Sequence, residues 1–214
     1  MAYRRTERVI ARLAARHEAI VAAARALASE SGMGAVQIVP VAERAGIAAG
    51  TVYRYFPSKD DLVAALVAVI AEQEIAAIRG AAAAAPGPLS ALAAAIKAFA
   101  VRALRERRLA FAMLAGAAED DAAADRLAFR HQLVAELATH IRAAIAAGHL
   151  PEQDAEFAAA AVIGAVIEGL LGPLSGASET AEAQHSAAQA LTLFALRALG
   201  VVDARARGLV VQAG

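Results

Sequence analysis

An all-α fold is what this 214-residue sequence predicts, and three observations carry the expectation. Ala dominates a composition that is 59% hydrophobic, and Ala has the best intrinsic helix propensity. Aromatic residues make up only 4%, which favours helices packed closely through small side chains. Runs of β-branched and aromatic residues with period two, the mark of half-buried strands, are nearly absent. The chain is long enough for one or two domains with a real core. It has no cysteine, which excludes disulfides and cysteine-ligated metals and fits a reducing cytoplasm.

The first helix is expected over about 7–29, where Ile10, Leu13, His17, Ile20, Val21, Ala24, Leu27 and Ala28 recur at helical spacing and define an inward face. Arg5, Arg8, Arg12 and Arg16 follow one another at three or four residues and share one side. Two readings stay open for that row: a solvated face, or an arm reaching a phosphate backbone. Gly32 and Gly34 end the helix.

The segment 41–62, VAERAGIAAGTVYRYFPSKDDL, is the most informative in the chain. A short helix ends at Ala45, Gly46 supplies the positive φ of a tight turn, and a second short helix stops before Pro57. Ser58 is placed as an N-cap, with Asp60 and Asp61 in the electropositive first turn of the next helix. Val52 and Phe56, four apart, form an inward pair, whereas Thr51, Arg54 and Tyr55 point elsewhere. Ala48 stands where a Ser or Thr cap is expected, a difference of about 1 kcal/mol. Two short helices joined by a turn containing Gly have the outline of a DNA-binding helix-turn-helix, with the recognition helix at about 48–56.

The run Ala42-Glu43-Arg44-Ala45-Gly46-Ile47, then Gly50-Thr51-Val52-Tyr53-Arg54-Tyr55-Phe56-Pro57-Ser58-Lys59, then Leu62, resembles the N-terminal signature of the TetR/AcrR family of transcriptional repressors. The resemblance covers about the first quarter of the chain. It implies phosphate contacts from Tyr53, Tyr55 and Lys59, and a place for Thr51 near the backbone or a base edge. Ala48, Ala49 and Gly50 would lie at the groove-facing start of the recognition helix, with Arg54 beside them. Gln37 stands where members often carry a capping Thr or Ser, and Val39 and Pro40 replace residues that are often polar. The family also implies a double-stranded palindromic operator, a homodimer and a small-molecule effector, with no cofactor.

Charge agrees with this division. The formal net charge is zero, yet residues 1–59 hold nine Lys+Arg against four Asp+Glu, a local balance of +5. A polyanionic partner would meet that end first. Domain limits of 1–62 for the helix-turn-helix and 63–214 for a helical effector-binding and dimerisation domain follow from this reading.

A fourth helix is expected over about 58–79, shared between the two parts, and AAAAAPGP at 81–88 is the clearest break. Helices at about 89–106, 108–117, 122–147, 152–171 and 178–199 follow, the last ended by Gly200. The acidic run 119–121 precedes the third of these, and 175–181 reads as a mobile loop. The most apolar stretch, 157–171, contains Glu168 and falls short of the roughly 20 residues a membrane span needs, so a buried helix is expected there. The five arginines before residue 17 are followed by no apolar signal core.

Small residues at Ala158, Ala161, Ala165, Gly169 and Gly172 recur at three or four and suit close helix approach, either within one subunit or between two. The family dimerises through its last two long helices, which marks Phe157, Ala161, Ala165, Glu168, Leu191 and Ala195 as interface candidates. It also carries an effector pocket walled by the middle helices, for which the candidates are Phe99, Phe111, Met113, Leu114, Phe129, His131 and Val166. His131 is read either as a satisfied core histidine or as a polar group in that pocket. Glu168 is read as a buried acid that pairs with an Arg, lines the pocket or faces the partner.

No phosphate-cradling Gly-rich loop, HExxH or nucleophile elbow is present, and no two histidines stand four apart. No enzyme activity and no metal site are therefore expected. A cytoplasmic repressor is the expected function. A helical dimeric ligand-binding protein with a vestigial helix-turn-helix is the alternative.

Overall fold

Ser58 shows how local chemistry sets this architecture. Its side chain accepts a hydrogen bond from the Asp61 amide at 3.1 Å, and the Asp61 carboxylate accepts from the Ser58 amide at 2.9 Å. This capping box starts the long helix α4, Lys59–Ala83. The computed structural model describes residues 2–116, 123–172 and 180–212. Before α4 come α1 (Ala2–Ser31), α2 (Ile38–Arg44) and α3 (Ala49–Tyr53), with a single 3₁₀ turn at Met33–Ala35. After it come α5 (Pro88–Arg105), α6 (Arg107–Ala115), α7 (Ala123–Ala146), α8 (Ala155–Val166), α9 (Ala181–Ala198) and α10 (Asp203–Gln212). α8 runs on through one wider π turn, Ile167–Leu171. No strand occurs among the described residues, and none of their helices is long and apolar enough to cross a membrane.

The glycine stops work as their chemistry requires. Gly46 has φ +65, its amide donates to the Glu43 carbonyl, and the Ile47 amide donates back to Ala42. This six-residue closure satisfies carbonyls at the end of α2 and turns the chain toward α3. Gly148 (φ +69) and Gly200 (φ +97) close α7 and α9 in the same way. Pro88 opens α5 in the first turn, where its missing amide costs nothing.

The core is continuous through both parts. Ile20, Val21, Ala24, Val36, Val41, Val52, Phe56, Leu62 and Leu66 are buried among α1–α4. α5 is the central helix of the remainder, packed by α4, α7 and α9. Leu92, Ile96, Ala95 and Ala100 on it are fully enclosed. Ala-rich faces allow that close packing from several sides.

Four expectations need correction. Ile10 and Leu13 are 60% and 47% exposed, because α1 runs beyond the bundle and its inward face begins only near His17 and Ile20. The recognition helix is shorter than 48–56, ending in a turn after Tyr53. The helix ended by Gly200 is not the last: α10 follows and buries Ala206, Leu209 and Val210 against α5 and α9. Glu168 is exposed rather than buried. The acidic run 119–121 and most of the loop 175–181 lie outside the described residues.

Candidate nucleic-acid interface

α3 is seated from beneath. Val52 is fully buried and Phe56 is 3% exposed, its ring 4.8 Å from the imidazole of His17 on α1. With those two side chains fixed, the opposite side of α3 faces out: Ala48, Gly50, Tyr53 and Arg54 are exposed, and Ala49, Thr51 and Tyr55 half-buried. Lys59 is exposed at the start of α4. Tyr55 lies partly against the core, so its hydroxyl end is the portion left for a partner.

Two caps are missing. Ala48 and Gln37 occupy the N-cap positions of α3 and α2, and neither gives a side-chain cap. Gln37 instead donates from Nε2 to the Gly34 carbonyl at 3.2 Å. In α3 the Thr51 amide turns instead to the Ala48 carbonyl at 2.8 Å, and Pro40 in the first turn of α2 has no amide to cap.

The charges are sorted as well. Arg44 is tied to Glu30 at the end of α1 in a bidentate pair, with one bond of 2.6 Å. That pair raises the Arg44 guanidinium pKa and lowers that of the Glu30 carboxyl, chiefly through the hydrogen bonds between them. Arg12, Arg16, Arg54 and Lys59 have no ion-pair partner among the described residues. They form the uncompensated positive charge of this end. The side chains of Arg5 and Arg8 lie outside the described residues.

A polar lattice links this end to the second part. Arg25 on α1 donates to Glu106 at 2.8 Å and to Gln73 on α4, and Ser29 reaches the same Glu106 at 3.1 Å. Arg108 on α6 donates to the Glu30 carbonyl at 2.8 Å. Arg102 on α5 grips Glu74 on α4 at 2.6 and 2.8 Å. Of these groups Arg25, Glu74, Arg102 and Glu106 border a small cavity of about 30 Å³, which Phe99, Met113, Leu114 and Phe129 also line. Four of the seven pocket candidates therefore meet there. Val166 is buried but away from that wall. Phe111 (38% exposed) and His131 face solvent, because the buried stripe of α7 runs through Phe129, Leu133, Leu137 and Ile141 and leaves His131 outside it.

On the far side, α8 and α9 present an apolar surface. Phe157 is 74% and Phe194 58% exposed, with Ala161 also exposed and Ala165 half-buried. Leu191 and Ala195 turn the other way, into the chain's own core, so Phe194 and not these two carries the outward face of α9. No cluster of metal-ligating side chains occurs among the described residues.

Residues 20–66 match the family described as bacterial regulatory proteins, tetR family. The HTH-type transcriptional repressor KstR of Rhodococcus jostii is 53% identical over 53 residues, 25% of each chain. KstR of Mycobacterium tuberculosis is 52% identical over 48 residues, 22% of each. The match thus spans about a quarter of the length of these relatives. Over nearly the whole chain, the fold is similar to that of RolR in complex with resorcinol, with a TM-score of 0.65 at 22% identity, covering 98% of this chain and 96% of that one. It is similar also to Salmonella enterica GusR, with a TM-score of 0.66 at 23% identity over 86% and 95%.

Proposed function

We propose, from the premise that residues 20–66 are a tetR-family DNA-binding domain, that this chain is a homodimeric transcriptional repressor, released from a palindromic operator by a small hydrophobic effector. The observation that carries the reading is the division of labour in α3. Val52 and Phe56 are committed to the core, and the polar side chains around them are left outward with uncompensated charge. Tyr53, Tyr55 and Lys59 grip phosphates. Thr51 and Arg54 offer a hydroxyl and a guanidinium to the groove, and the bare Ala48-Ala49-Gly50 start allows close approach. Gln37 and, from α1, the exposed Arg12 and half-buried Arg16 add to this face. Operator and regulator would meet in the cytoplasm.

A two-fold dimer through Phe157, Ala161, Ala165 and Phe194 places two recognition helices for half-sites about one DNA turn apart. The effector acts on the core cavity. At about 30 Å³ it holds no more than a water or two, so a ligand enters only by spreading α4, α5, α6 and α7. Spreading breaks the Arg25–Glu106–Ser29 tie and tilts α4, whose first turn carries Lys59. The ligand favours the spread state and the operator the closed one, which is a population shift.

A mobility-shift assay on DNA flanking the chain's own gene tests the reading. The repressor requires a salt-sensitive preference for a palindrome there over random DNA. A dimer with no such preference would support a ligand-binding protein with a vestigial helix-turn-helix instead.

A further inference from the structure

α5 has two functional sides. Phe99, Arg102, Ala103 and Glu106 face the small core cavity. Ser90, Ala94, Lys97, Ala98 and Val101 recur at three or four residues on the opposite stripe and face a second, larger cavity of about 730 Å³. The end of α4, the Ala84–Pro86 turn and Leu209 of α10 complete its wall. The wall is mostly apolar, with five alanines beside Pro86, Val101 and Leu209, and its polar side chains are Ser90, Lys97 and Arg102. It contains no carboxylate. A volume of this order lies within the range of small-molecule sites.

Lys97 is the anomaly. It is 6% exposed, and its Nζ is buried with no hydrogen-bond partner. Burying an ammonium without an acceptor is costly, and proteins normally pair or avoid it. Burial also pushes the Lys97 pKa down, with no neighbouring acid to oppose the shift. Arg102, the other cation of the wall, is already occupied by Glu74. A lone lysine inside the apolar run ALAAAIKAFA (91–100) is the sequence signal for this position.

We propose that the cavity between α4, α5 and α10 is a second ligand site, one that takes a small monocarboxylate with an apolar body and uses Lys97 as its counter-ion. The chemistry selects this class. One ammonium balances one negative charge, whereas a phosphate dianion needs several donors that the alanine wall lacks. The apolar wall receives the hydrocarbon part. The flexible four-carbon stem of Lys97 allows the ammonium to swing to the carboxylate. The site is separate from the core cavity assigned to the effector, although Arg102 borders both. Its occupancy does not depend on whether the chain binds an operator.

Calorimetric titration of the full chain with octanoate and with octanamide, in the absence of DNA, tests the proposal. Octanoate is expected to bind about tenfold or more tightly than octanamide, since only the carboxylate pairs with Lys97. Lys97→Met keeps the length and apolar character of the stem. It should bring octanoate down to the octanamide level and leave octanamide unchanged. Ala94→Phe, which projects a ring into the cavity one turn from Lys97, should weaken binding of both. Met113→Trp, which fills the core cavity, should leave both unaltered. Equal affinity for the two probes, no binding of octanoate at millimolar concentration, octanoate binding retained in Lys97→Met, or loss only in Met113→Trp would each overturn it. A thermal melt shows whether each variant is folded, and Lys97→Met is expected to melt no lower than wild type.

Discussion

The helix-turn-helix end and the helices behind it are built from the same element by opposite means. α2 and α3 are seven and five residues long, too short to persist alone, and each is held by discrete contacts. These contacts are the Gly46 closure, the Val52 and Phe56 anchors and the Ser58 capping box that follows. α5, α7 and α9 are 18, 24 and 18 residues long and are held by broad alanine-rich faces. Removing one contact should therefore hurt the first region severely. The second should tolerate single changes except where a charge or a large exposed side chain has a task.

The largest effect is expected at Phe56. Phe56→Ala removes a buried ring packed at a tilt against His17 and should cost about 3–5 kcal/mol in denaturant unfolding. A cost below about 1 kcal/mol would mean that α3 is not anchored as described. Phe194→Arg on the outward face of α9 should leave the stability of the single subunit within about 0.5 kcal/mol of wild type. It should weaken the dimer by about 2 kcal/mol or more, visible as a concentration-dependent shift in light scattering. Unchanged dimerisation would move the interface elsewhere.

Lys97→Met should raise stability by about 1–2 kcal/mol at neutral pH, since it removes an unpaired buried charge. The sign with pH follows from burial, which holds the folded-state amine below the usual lysine range. Between that lowered value and the ordinary one the unfolded chain binds more protons, so wild-type stability rises with pH there. The advantage of the methionine variant should therefore shrink as pH climbs toward the ordinary lysine pKa. Arg102, the other ionisable group of that wall, stays charged throughout. An advantage that is constant with pH would contradict the assignment. Smallest is Ser58→Ala, which removes the cap of α4 for about 1 kcal/mol. It should unsettle the helix-turn-helix end more than the core, as hydrogen exchange at 59–66 against 92–104 would show.

The contrast also governs what the sequence disclosed. Gly46, Pro57 and Ser58 are punctuation with one physical meaning each, so the order of α2, α3 and α4 was legible from residues alone. Fold class was legible from alanine and the missing period-two pattern. The faces of the later helices were not, because alanine fits inside or outside. In α7 that ambiguity turned His131 inward, to the core or the pocket, whereas the buried stripe runs through Phe129 and Leu133 and leaves it exposed. In α9 it turned Leu191 and Ala195 outward, whereas both are buried and Phe194 is exposed. α10 was hidden behind Gly200, although Asp203 and Arg207, four apart and joined at 2.9 Å, carried its signal. The Arg25–Glu106 tie joins residues 81 apart in sequence, which no local pattern reveals.

The most direct test of the central claim is a salt titration of binding to a labelled duplex carrying the palindrome beside the chain's own gene. Affinity should fall steeply and log-linearly with salt and exceed that for random DNA, with a slope reduced by about one in Lys59→Ala. Affinity equal for both duplexes and insensitive to salt would contradict it.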